Sequence, residues 1–175
     1  MSELFSDISH FDRTKDYLPI LVAALFVDLF FVVLLFHGHI RSNSLKKWYT
    51  KYQWSALMAD VLSIFIGIAL TRFFYPFLFG SFSLLKFAGL SVGIQILHDI
   101  TFYYIFSHTP HGYNAMLDFF KEYAREVGGS AIRGDSIMMV MTAVISSFLA
   151  GRGMNANIVL FAFGMYLAPY LLNYA

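Results

Sequence analysis

Four aspartates stand inside apolar runs of this chain: Asp28, Asp60, Asp99 and Asp135. A carboxylate at the centre of a membrane helix costs roughly 2.5–3.5 kcal/mol, so each needs a proton, a hydrogen-bond partner, water or a cation. Near Asp99 the run is more polar still, with Gln95 and His98 beside it. Ser91, Gln95 and Asp99 recur at i, i+4 and i+8, which puts them on one helical face. Arg133 is the one cation close in sequence to any of the four. Three chemistries follow. The carboxylates could hydrogen-bond neighbouring helices and fix a bundle. They could line a polar cavity for protons or a hard divalent cation, with oxygen ligands and His98. They could hold a catalytic metal. The chain shows no HExxH, no Gly-rich phosphate loop, no acyl-transfer triad and no histidine boxes, and it has no cysteine. The HTPHG run at 108–112 reads as a turn rather than a ligand pair.

The elements that must carry these residues are membrane spans. Hydrophobic residues make up 58% of the 175 and charged residues 13%, about half the charged share of a soluble domain. Apolar runs at 18–36, 54–79, 84–106, 131–150 and 157–174 are each near the ~20 residues that cross a bilayer. An all-α membrane protein with about five transmembrane helices is expected. The net charge of +1 gives no polyanion footprint, which argues against nucleic acid.

Between the first two runs lies a basic linker bearing Arg41, Lys46, Lys47 and Lys51, with Trp48 and Trp54 among its aromatics. These six residues are candidates for the lipid interface. Between the third and fourth runs, 115–127 places Met116, Phe119, Phe120, Tyr123 and Val127 on one stripe and charged residues on the other. That pattern predicts an amphipathic surface helix, capped by Asn114 and ended by Gly128 and Gly129. Residues 1–17 form a polar leader, read either as an interfacial helix or as a tail. The leader lacks the basic region of a cleavable signal peptide, so the first run is expected to be retained. The linker side carries seven Lys or Arg and the other side five, which by the positive-inside rule places the linkers and the C-terminus in the cytoplasm.

The chain also resembles itself. Shifted by 75 residues, Lys46, Ser55, Ala56 and Asp60 fall on Lys121, Ser130, Ala131 and Asp135, and Trp48 falls on Tyr123. Shifted by 71, Asp28, Phe31 and His37 fall on Asp99, Phe102 and His108. The expected organisation is a leader at 1–17, repeat one at 18–79, repeat two at 80–150 and a fifth span at 151–175. The two repeats enter the membrane in the same direction, as in parallel-repeat membrane proteins. Asp28 lies eight residues before the first linker and Asp60 six residues after Trp54, depths of roughly 12 and 9 Å at 1.5 Å per residue. The second copy repeats these depths, so all four carboxylates are expected in one layer on the linker side.

The motifs SALMADVLSIFIG, QILHDITFYYIF, LDFFKEYAREVG and GDSIMMV resemble a group of small, uncharacterised polytopic membrane proteins encoded by nucleocytoplasmic large DNA viruses. The resemblance covers about 20–172. It implies a virion internal membrane or a host endomembrane as the setting and carries over no catalytic residue. With the lipid bilayer and a homo-oligomer or capsid protein as partners, the expected function is a structural or assembly component whose buried Asp residues stabilise the bundle. A proton- or cation-conducting transporter using the Asp layer is the alternative, and a membrane-embedded metal-dependent enzyme the second alternative. The sequence requires no cofactor.

Overall fold

The computed structural model describes residues 4–173, so Tyr174 of the last expected span lies outside the described residues. Seven α-helices follow a short 3₁₀ turn at Thr14–Asp16: α1 Tyr17–Phe36, α2 Asn43–Tyr52, α3 Trp54–Leu78, α4 Leu84–His108, α5 Ala115–Val127, α6 Ser130–Ala150 and α7 Met154–Leu172. No strand occurs among the described residues. Four helical stretches are long and apolar enough to cross a membrane: Thr14–Phe36, Trp54–Leu78, Ser130–Ala150 and Met154–Leu172. The helix α4 has the length of a span, 25 residues, but not the apolarity. Lys86, Gln95, His98, Asp99 and His108 lower it, so the expected count of five exceeds what composition alone supports.

The long helices are joined as a ring. The helix α1 packs on α3 and α6, and α4 packs on the same two, while α7 lies outside against α1. Small residues permit the closest approaches. A Cβ on Gly67 of α3 would sit 2.8 Å from Met139 Cε of α6, and one on Gly164 of α7 would sit 2.7 Å from Leu25 Cδ2 of α1. These are the contacts that small residues give to membrane helices, where lipid supplies no hydrophobic drive between apolar faces.

Both linkers fold at one end of the ring, and they fold alike. Ser42 caps α2 by accepting from Leu45 N–H, and Asn114 caps α5 by accepting from Met116 and Leu117 N–H. Each short helix then turns into the next span through a single residue of positive φ: Gln53 (φ 42°, ψ −112°) and Gly128 (φ 52°, ψ −138°). These two residues are 75 positions apart. The short helices pack on each other through stacked rings, Trp48 on Phe119 at 5.1 Å. Glu126 of α5 accepts from the Asn43 and Ser44 N–H groups at 2.8 and 2.9 Å and from the Ser44 hydroxyl. The Ser44 hydroxyl and these backbone donors hold the Glu126 carboxyl below its ordinary value.

The leader closes the opposite end. It is neither a helix on the surface nor a loose tail: Ile8 is fully buried, and Ser6 N–H donates to Ser147 O at 2.9 Å. Arg72, near the C-terminal end of α3, is fully buried beneath it. Its Nη2 donates to Arg13 O at 2.9 Å and to His10 O, and lies 3.6 Å from Asp16 Oδ2. The guanidinium carbon sits 4.2 Å from the centre of the Tyr17 ring. One buried cation thus ties the leader to the bundle.

Two outcomes follow. Arg72→Met strands the buried Asp16 and the leader carbonyls, and is expected to cost about 3–5 kcal/mol, read as a fall in thermal midpoint together with faster protease cleavage before residue 17. Gln53→Gly relieves a positive φ that side chains rarely adopt and is expected to raise stability by about 1 kcal/mol in the same assay; an unchanged midpoint would show that this turn holds no strain.

Candidate functional site

The four aspartates reach one place. Asp28 from α1, Asp60 from α3, Asp99 from α4 and Asp135 from α6 all line a single cavity of about 920 Å³ on the linker side of the bundle. Gln95 and His98 line it too, so all six intramembrane candidates meet there. The spacing of each helix explains the convergence. Asp60, Ile64, Gly67 and Thr71 lie on the inner face of α3, and Asp135, Met139, Thr142 and Ser146 repeat that face on α6. The remaining walls are mostly apolar and aromatic, with Phe31, Phe102, Phe106, Phe119 and Phe120 among them, and Arg41 and three serines, Ser42, Ser63 and Ser130, also line the cavity.

The first-half carboxylates are clipped by α2. Tyr49 Oη lies 2.9 Å from Asp28 Oδ1 and 2.7 Å from Asp60 Oδ2, and Trp48 Nε1 donates to the same Asp60 oxygen at 2.9 Å. A phenol carries one proton and can donate to one of the two acids. The second contact therefore needs a proton on one carboxyl, which donates to the phenol oxygen. The Asp28–Tyr49–Asp60 bridge accordingly holds at most one negative charge. Burial first, and then the two carboxylates, push the Tyr49 phenol well above its ordinary value, so it stays a donor at neutral pH. Asp28 is wholly buried, and its second oxygen, Oδ2, has no hydrogen-bond partner.

The second half is built differently. The position 75 residues beyond Tyr49 is Ala124, which lines the cavity and has no polar side chain to offer. Gln95 Nε2 donates to Asp99 Oδ1 at 2.7 Å, and His98 Nδ1 lies 3.2 Å from the same oxygen. Asp99 Oδ2 is buried without a partner. Asp135 lines the cavity without a hydrogen bond or ion pair among the described residues. The exposed Arg133 is not paired with it. The Tyr123 phenol faces this half, and burial together with the Asp135, Asp60 and Asp99 charges pushes it well above its ordinary value. No three His, Asp or Glu side chains among the described residues are grouped closely enough to hold a metal ion.

The interface candidates separate. Arg41, which also lines the cavity, is exposed, as are Lys46, Lys47, Lys51 and Trp54. Trp48 is not: it is 1% exposed, because its indole N–H has Asp60 to bond and its ring has Phe119 to stack on. Tyr49, the centre of the clip, reads from the sequence only as one more headgroup-level aromatic of the linker. The signal was present, since Leu45, Trp48, Tyr49 and Tyr52 recur at i, i+3, i+4 and i+7 and give α2 an aromatic face turned towards the bundle.

Fold and site together define an all-α membrane protein with an acidic cavity among its spans. Compared with protein-family models, curated proteins and solved structures, the chain matches none.

Tyr49→Phe deletes the hydroxyl that two buried carboxyls share. It is expected to cost about 2–4 kcal/mol in a detergent unfolding assay, more than an ordinary hydrogen bond, because a buried acid is stranded. Combining it with Asp28→Leu should recover part of that loss, whereas strict additivity would show that the two groups do not interact.

Proposed function

We propose that this chain is a five-span membrane protein made of two like-oriented hairpins and an added helix, and that it binds and carries cations or protons in its acidic cavity. In this reading α4 is the fifth membrane helix. Its polar face is turned to the cavity, and Leu97, Tyr104 and Ile105, which do not line the cavity, are well exposed, as a lipid-facing surface would be. The hairpin duplication is supported by the matching positive-φ junctions at Gln53 and Gly128 and by the ring of helix neighbours. One observation carries the function. The two halves bring four carboxylates to one cavity, and only in the first half does a phenol hydrogen-bond both members of the pair; the Tyr123 phenol of the second half faces its acids without bonding them.

Asp28 and Asp60 thus act as the lock of the bundle, and Asp99 and Asp135 act as the binding pair. The assembly reading, in a viral or virus-remodelled membrane, is supported by the first pair alone: Tyr49 bridges its two carboxyls and Trp48 adds a donor to Asp60. It leaves Asp99 and Asp135 without a task.

Proteoliposomes separate the two. The full chain should move protons or monovalent cations down a gradient. Asp99→Asn and Asp135→Asn should each reduce that flux by about tenfold or more, with Asp12→Asn in the exposed leader as the unaffected control. No flux above empty liposomes from folded protein would leave the assembly reading standing instead.

A further inference from the structure

The cavity is far larger than an ion needs. At about 920 Å³ it falls within the roughly 300–1,000 Å³ range of sites that enclose an organic ligand. Its composition is divided. Acidic groups come from the inner faces of α1, α3, α4 and α6, and a wall of aromatic rings comes from α4 and α5. Phe102 and Phe106 of α4 meet Phe120 of α5 at centroid distances of 4.9 and 6.2 Å. His98 stacks on Phe102 at 5.9 Å. A bare divalent ion is poorly served, because no three ligating side chains are grouped among the described residues. Beyond the cluster of acids there is an independent sign of an absent partner. Asp99 and the wholly buried Asp28 both line the cavity, and each keeps a buried Oδ2 without a hydrogen bond.

We propose that the cavity's ligand is an amphipathic organic cation, an alkyl or aryl ammonium whose charged head meets Asp99 and Asp135 while its apolar body lies along Phe102, Phe106 and Phe120. The inference rests on the acidic-cavity reading and names its substrate class. Carboxylates supply the Coulomb attraction, and aromatic faces add cation–π and apolar contact at once, a combination that neither an inorganic ion nor a neutral lipid would use in full.

The test uses the full chain in phosphatidylcholine nanodiscs with octyltrimethylammonium as the probe, and with octanol, octanoate and tetramethylammonium for comparison, measured by calorimetry. Octyltrimethylammonium should bind saturably and at least about tenfold more tightly than the other three. Asp99→Asn with Asp135→Asn should weaken it by about tenfold or more, and Phe102→Ala, which removes one ring of the apolar wall, should weaken it as well. A second readout keeps the carboxylates intact. The chain has no cysteine, so Ser63→Cys puts one thiol on the cavity wall, and the probe should slow its maleimide labelling. Equal binding of octanol, or labelling unaffected by the probe, would overturn the proposal. Asp-dependent proton or cation flux alongside no amine binding would overturn this inference alone. Loss of both would remove the acidic-cavity reading as well.

Discussion

The structure depends on the neutralisation of carboxylates that have been taken out of water. Lipid offers no compensation for a charge, so a helix carrying Asp at membrane depth must turn it inwards and find it a partner. That requirement orients α1, α3, α4 and α6 about one axis. It also explains why α2 is folded under the bundle and not spread on its surface. Tyr49 and Trp48 of α2 are the donors that make Asp28 and Asp60 tolerable, and their burial pulls the whole linker inwards. Once α2 is drawn in, α5 stacks on it through Trp48 and Phe119, and Glu126 ties its carboxyl to the start of α2.

The two ends of the molecule solve opposite problems. On the linker side the buried groups are acids with hydrogen-bond donors around them. On the leader side the buried group is a cation, Arg72, with carbonyls, Asp16 and the Tyr17 ring around it. The acidic cavity thus lies at the linker end, walled in part by α2 and α5, and the folded leader covers the far end. Between them the inner faces of α3 and α6 carry Thr71, Thr142 and Ser146, all fully buried, and the hydroxyls of Thr142 and Ser146 have no hydrogen-bond partner among the described residues. A protein that carries cations through a bilayer needs such a closed side and such a polar interior, and both features agree with the proposed function.

Much of this was legible in the residues. Asp60 and Asp135 share a Ser-Ala lead-in, and the depth of each Asp from its linker is similar, so a single carboxylate layer could be read from counting alone. The amphipathic α5, with its Asn114 cap and Gly128 end, was equally plain. What escaped were contacts that depend on which way a short helix lies. Trp48 reads as an interfacial aromatic because Lys46, Lys47 and Lys51 flank it, yet its ring belongs to the other face of α2. Tyr49 is a common residue in a basic linker, and only the fold brings its hydroxyl between two acids separated from it by 21 and 11 positions. The Arg72 clamp was hidden for the same reason: its partners lie about 60 residues away in a leader with no periodicity to betray its packing. The length of α4, 25 residues, was legible as a span, but its polar residues leave it less apolar than the four helices that are apolar enough to cross a membrane.

The central claim is that one missing phenol separates a structural carboxylate pair from a working one. Restoring that phenol tests it most directly. Ala124→Tyr places a hydroxyl at the position that Tyr49 holds in the first half, on the wall of the same cavity. Cation flux of the variant in proteoliposomes is the measurement, taken beside its thermal midpoint. The account predicts flux reduced by about tenfold with the midpoint unchanged or raised, because Asp99 and Asp135 would then be clipped as Asp28 and Asp60 are. Undiminished flux from a protein of unchanged stability would contradict it.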